Sequence, residues 1–167
     1  LEMKYEFYVE PVLGRRDLEY SLEASLKNPM LHEGDKLEII LQPSKDSYVY
    51  VFNLMADNNA VLMFPNKFMN KNMIGAGEKL LIPDPAVIQD VSFIVAPMPD
   101  MPLTSESVYI ICTKQNVPLP EEIPRIGEGM PTFSMGDNNF LKLQRWLNKI
   151  PLDQRIEKAV IYHVSKN

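Results

Sequence analysis

The chain of 167 residues holds one cysteine, two histidines and one tryptophan, and each scarcity removes a class of chemistry. A lone Cys112 forms no intrachain disulfide and supplies no multi-cysteine metal site. His32 and His163 stand too far apart in sequence to suggest a zinc ligand pair. Basic residues are in deficit: 17 Lys and Arg against 22 Asp and Glu leave a net charge of −5. A nucleic-acid surface needs a basic face, and adhesion to anionic lipid needs a polybasic patch; neither is expected. No apolar run approaches the roughly 20 residues that span a bilayer. A Gly-rich phosphate loop, a Gly-x-Ser-x-Gly elbow and a paired-carboxylate motif are all missing. Asp57-Asn58-Asn59 and Asp137-Asn138-Asn139 carry hard oxygen ligands, but neither resembles the acid-alternating loop that gives calcium its roughly six to eight oxygens. No metal and no cofactor is therefore expected. The compartment stays open, because no signal peptide is visible and a single thiol suits the cytosol or, if buried, an exported protein.

What is present is a chain suited to one domain over 1–167, with 46% apolar and 23% charged residues, enough to build a proper core. Its organising stretch runs from Asp46 to Asn66. Tyr48, Tyr50, Phe52 and Leu54 fall on one face of an extended segment, and Val49, Val51 and Met55 on the other. A strand apolar on both faces belongs mid-sheet, covered above and below. Asp57-Asn58-Asn59 tolerates the left-handed backbone of a hairpin turn. Val61 to Phe64 returns, and Pro65, lacking an amide hydrogen, stops it.

Upstream, Tyr5 to Val12 reads as a first strand. Leu18 to Leu26 and Lys36 to Gln42 alternate apolar and polar residues, as strands with one wet face do. Pro29 through Gly34-Asp35 and Pro43 to Asp46 read as turns. Downstream, Lys67 to Lys79 reads as a polar loop, with a short strand at Glu78 to Ile82. Val91 to Ala96 and Ser107 to Thr113 are apolar on both faces. Pro97, Pro99 and Pro102 punctuate a link, and the prolines of 117–131 exceed what a packed element allows; such segments are read by partners in extended form or keep loops rigid. Asp137 or Asn138 is placed to cap the one convincing helix, 138–150. Its apolar stripe is Phe140, Leu143, Leu147 and Ile150, flanked by Trp146. A short, helix-compatible stretch over 152–158 leads to a last strand, 159–164. These signals predict a mainly β fold, an antiparallel immunoglobulin-like β-sandwich. The helix should cover the doubly apolar strands 48–55, 91–96 and 108–113.

Gly34-Asp35, Asp46-Ser-Tyr-Val-Tyr-Val-Phe-Asn53, Leu62-Met-Phe-Pro-Asn66, Asn72-Met-Ile-Gly-Ala-Gly77 and Ile82-Pro83 occur in one order. Together they resemble the signature of a bacterial domain-of-unknown-function family, over roughly residues 18–113. Met63 stands where leucine is commoner in that signature, a swap packing tolerates. The resemblance implies a β-sandwich accessory domain, often on exported proteins beside caspase-like peptidase, kinase or envelope modules. It brings no catalytic residues; the shared positions Gly34, Asp35, Pro65, Asn66, Gly75 and Gly77 carry turns.

The function expected is therefore a non-enzymatic accessory or protein-interaction domain of an exported or envelope protein. Its partners would be other proteins or companion domains of the same chain, with the periplasm or outer envelope as the expected location. The alternative is a small-ligand or carbohydrate-binding domain using the 66–77 loop, with Asn66, Phe68, Asn70 and Asn72 supplying amide and aromatic groups. A cleft lined by Phe68, Asn70, Asn72 and a tyrosine would favour it, whereas asparagines serving loop amides would count against it. A third idea pairs Cys112 with His163 or His32 as nucleophile and base. It needs an exposed thiol near an imidazole, and Cys112 lies in an apolar strand where an inert thiol is usual.

Overall fold

The strand β5 (Ser47–Leu54) is buried along both faces, as its unbroken apolar run requires. Val49 and Val51 enter one core, and Tyr50 and Phe52 enter a second core on the opposite face. A computed structural model describes residues 14–128 and 139–167 of the chain. The strand read at 5–12 and the cap read at Asp137 or Asn138 lie outside those residues.

Beside β5 run β6 (Ala60–Phe64) on one edge and β10 (Leu103–Thr113) on the other, both antiparallel to it. The turn between β5 and β6 places Asn58 at φ 66°, the left-handed backbone its side chain tolerates. Leu62 pairs with Phe52 and Phe64 with Val51, so Met63 is the extra residue of a bulge. β10 in turn pairs with β11 (Arg155–Ser165) along its whole length, and β2 (Met30–His32) joins the far side of β11 in parallel. The larger sheet thus runs β2-β11-β10-β5-β6, with β7 (Met73–Ile74) on the first residues of β5. A smaller sheet, β1-β4-β8, is built from β1 (Leu22–Leu26), β4 (Ile39–Pro43) and β8 (Leu80–Ile82). β3 (Lys36–Leu37) and β9 (Phe93–Ile94) form a separate ribbon. The architecture is mainly β and predominantly antiparallel, with one helix among the described residues.

Two cores follow from the two faces of the larger sheet. Leu22, Leu26, Ile39, Leu41 and Ile82 of the smaller sheet meet Val49, Val51, Val108, Ile110 and Cys112 of the larger one. On the far face, α1 (Asn139–Asn148) lays Leu143 and Leu147, with Ile150 beyond its end, against Tyr50, Phe52, Ala60, Leu62 and Ile111. The helix covers the doubly apolar strands β5 and β10, as its stripe requires.

Several expectations need correction. Of Val91–Ala96 only Phe93 and Ile94 form strand, and Ile94 is 59% exposed; paired with β3 outside both main sheets, this segment has one wet face. Pro29–Asp35 contains β2 as well as its turn, and Lys67–Lys79 contains β7. Lys36–Gln42 breaks at Glu38 into two strands with different partners. The strand from Leu18 starts only at Leu22, because Asp17 turns the chain by accepting the Glu19 amide (3.0 Å). The final strand begins at Arg155 after a single short turn, Leu152–Gln154. Within the described part of 117–131, prolines do not prevent packing. Ile123 is buried, and the chain bonds along the free edge of β6, Leu62 donating to the Pro124 carbonyl (2.8 Å) and accepting from Ile126 (3.0 Å).

Candidate functional site

The four loop residues divide by role. Asn66 is buried: its carboxamide donates to the Met63 carbonyl (2.7 Å) and accepts from the amides of Phe68 and Met69 (2.9 Å each). That is an Asx turn locking the chain after Pro65. Asn72 donates from its side chain to the Val49 carbonyl (3.1 Å), while its own carbonyl accepts the Val49 amide (2.8 Å). Phe68 is 48% exposed, with the Lys67 ammonium 4.8 Å from its ring centre and the backbone of Gly127 against its edge. Asn70 is exposed.

Asn70 and Asn72 share a hollow of about 400 Å³ with Tyr50, Pro65, Asn116 and Val117. The structure brings these two asparagines together and leaves Asn66 and Phe68 out of that hollow. A tyrosine does stand there, but its ring is fully buried and its hydroxyl is engaged. The Tyr50 hydroxyl accepts the Val117 amide (2.9 Å) and faces the Val117 carbonyl (3.1 Å) and Asn116 Oδ1 (3.3 Å). No stacking face is presented by that ring.

Cys112 sits in the core between the sheets, fully buried, and burial alone pushes its thiol up to about 12. Neither histidine lies beside it. His163 pairs with Ser105, seven residues along β10, and its Nδ1 shares a 2.8 Å hydrogen bond with the Ser105 hydroxyl. At ~3.3 Å per strand residue that is over 20 Å away. His32 pairs with Ser165 at the far end of β11 and its Nδ1 lies 3.6 Å from Asp35. Among the described residues no group of three or more His, Cys, Asp or Glu side chains is placed to hold a metal ion.

The larger concavity was not read from the sequence. A groove of about 790 Å³ runs between the extended segment 115–122 and the outer side of α1. Its apolar lining includes Val117, Pro118, Leu119, Trp146 and Ile150. Trp146 fixes one wall to the other: its indole N–H donates to the Pro118 carbonyl (2.7 Å), and its ring meets Tyr50 and Phe52 edge-on at 5.4 and 5.6 Å. Lys142, Arg145 and Lys149 line the helix wall, and Glu121 and Glu122 line the opposite wall. Asn139 anchors the helix. Its buried carboxamide donates to the Ala60 carbonyl (2.8 Å) and accepts the Ala60 amide, satisfying both backbone groups at the turn end of β6. The proline spacing of 118–120 and the position of Trp146 were the signals available; pairing them needed the fold.

Geometry of this kind defines, among the described residues, a mainly β domain with one helix and a groove between that helix and a proline-bearing segment. The chain belongs to the family described as Domain of unknown function (DUF4384), whose sequence model matches residues 30–116. That match starts after β1 rather than at Leu18, and it contains all five signature segments quoted above. Neither a curated protein nor a solved structure matches the chain.

Proposed function

We propose that the chain is a non-enzymatic protein-interaction domain that receives an extended segment of a partner or companion domain. The observation carrying this reading is the groove between 115–122 and α1. Its two walls are tied to each other by the Trp146–Pro118 hydrogen bond. Peptide recognition needs such a preformed trough, with an apolar anchor site and polar rims. The inert, buried Cys112 agrees with a role without covalent chemistry. The same reading takes the packed sheets as an immunoglobulin-like sandwich. It places the domain on an exported or envelope protein of bacterial type, on the strength of the signature alone.

Peptide display against the wild-type chain tests it, with counter-selection on Glu121→Trp, which fills the trough from an exposed position. Enrichment of peptides that bind wild type and not the variant supports the reading. A selection yielding no groove-dependent peptide would overturn it.

A second reading rests on the Asn70–Asn72 hollow as a carbohydrate site. Asn70 is its freest amide; Asn66 is consumed by its own turn. A glycan-array signal lost on Asn70→Ala would favour it, and a blank array would remove it.

A further inference from the structure

The geometry points to an acidic peptide, with carboxylates at alternate positions, as the occupant of the groove beside α1. This inference rests on the interaction reading above and adds the chemical class of the partner. Lys142 and Arg145 stand three residues apart on one face of α1, and Lys149 follows the last helical residue, Asn148, seven residues after Lys142. All three are exposed, all three line the groove, and among the described residues none forms an ion pair. The chain as a whole carries −5, so three unpaired cations along one wall run against its general charge. Helix-end stabilisation accounts for part of this, because cations near a C-terminus complement the backbone dipole. It does not account for Lys142, a full turn earlier, or for alignment of all three beside a trough.

Spacing then selects the ligand. From Lys142 to Asn148 the helix rises about 9 Å, and Lys149 comes directly after it. Alternate residues of an extended peptide lie about 7 Å apart and project to the same side. Two carboxylates at positions i and i+2 therefore fit within the cationic stripe. The side chain between them points the other way, toward Pro118, Leu119 and the wall that carries Glu121 and Glu122. Those two glutamates repel a peptide that is acidic at every position. An acid–apolar–acid pattern satisfies both walls; a uniformly acidic or a basic one does not.

The lone tryptophan of the chain stands in this groove, so its fluorescence reports occupancy without a label. Three hexapeptides are titrated into the full chain: alternating glutamate–leucine, glutamine–leucine and lysine–leucine. We expect the glutamate peptide to change Trp146 emission at least about tenfold more tightly than the other two, with affinity falling as salt rises. The double variant Lys142→Glu, Lys149→Glu alters exposed side chains and should abolish that preference while lowering the melting temperature by only a few degrees, the cost of reversing a cation at the helix end. Tighter binding of the glutamine or lysine peptide overturns the acidic assignment but leaves the groove a peptide site. No emission change with any of the three overturns both readings. An unchanged glutamate affinity in the double variant overturns the acidic assignment alone.

Discussion

Asn139→Ala is the substitution that most directly tests how the helix is held. The side chain makes two hydrogen bonds to Ala60, one to each backbone group, at a position that is itself buried. Removing both leaves an amide and a carbonyl in a site from which water is largely excluded. A typical net hydrogen bond is worth about 1 kcal/mol, and orphaning a buried partner costs about 1–3 kcal/mol. Some relaxation toward water at the helix start is expected, so the combined loss should be about 2–4 kcal/mol. For a domain of this size each kcal/mol moves the melting temperature by roughly 2–4 °C, so a fall of roughly 4–16 °C is expected. Leu141→Ala, on the exposed side of the same helix, is the control and should stay within about 0.5 kcal/mol. Urea denaturation with m-values compared across the three proteins is the assay. A loss below about 0.5 kcal/mol for Asn139→Ala, equal to the control, would refute the clamp and mean that the helix is held by its apolar stripe alone. Because α1 is one wall of the groove, the variant should also weaken any groove ligand.

Cys112 should resist a thiol reagent at pH 8 until the chain unfolds, since burial raises its thiol to about 12; rapid labelling of the native protein would contradict that placement. Asn66→Ala should destabilise by about 2–3 kcal/mol by chemical denaturation, because three hydrogen bonds of its turn disappear; an effect confined to ligand binding would instead reinstate it as a recognition residue. Asp17 accepts hydrogen bonds from Lys114 and Lys45, which hold its carboxyl below the usual carboxylate range. Its stabilising contribution is therefore present above the ordinary Asp pKa and lost as pH falls through the lowered value, a loss that Asp17→Asn should remove from the pH-stability curve. Glu106 has the opposite sign: burial raises its carboxyl, so its contribution is complete below the unfolded pKa and lost as pH rises through the folded one. Glu106→Gln should therefore stabilise the protein at neutral pH, and a destabilised variant there would show that the Tyr162 hydrogen bond (2.6 Å) outweighs desolvation.

The central pair was legible because both of its signals are local. A long run apolar on both registers leaves too much surface to stay exposed, unlike a two-residue strand, and Asp57-Asn58-Asn59 has no better use than a turn. The helix stripe was legible for the same reason, and its face could be matched to β5 and β10 by asking which strands lacked a wet side. Phe93 and Ile94 misled because apolarity on both faces does not say whether the second face is covered, and Ile94 is not. β2 and β7 escaped because their strand character comes from partners far along the chain, β11 and β5, rather than from their own two or three residues. The candidate loop was half legible. Asparagine at position 66 could be a ligand group or an Asx turn, and only the neighbouring amides decide between them. The groove was illegible, since it is made where residue 118 meets residue 146.

β11 stands between β2 and β10 and hydrogen-bonds to both, yet it lies wholly beyond the matched stretch 30–116. Excising that stretch would strip β10 of its neighbour along eleven residues and set β2 adrift. A bare ladder of that length invites pairing with another molecule, so a fragment cut at the family borders should precipitate or self-associate where the longer chain does not. Recombinant work on such domains should take its borders from the last strand.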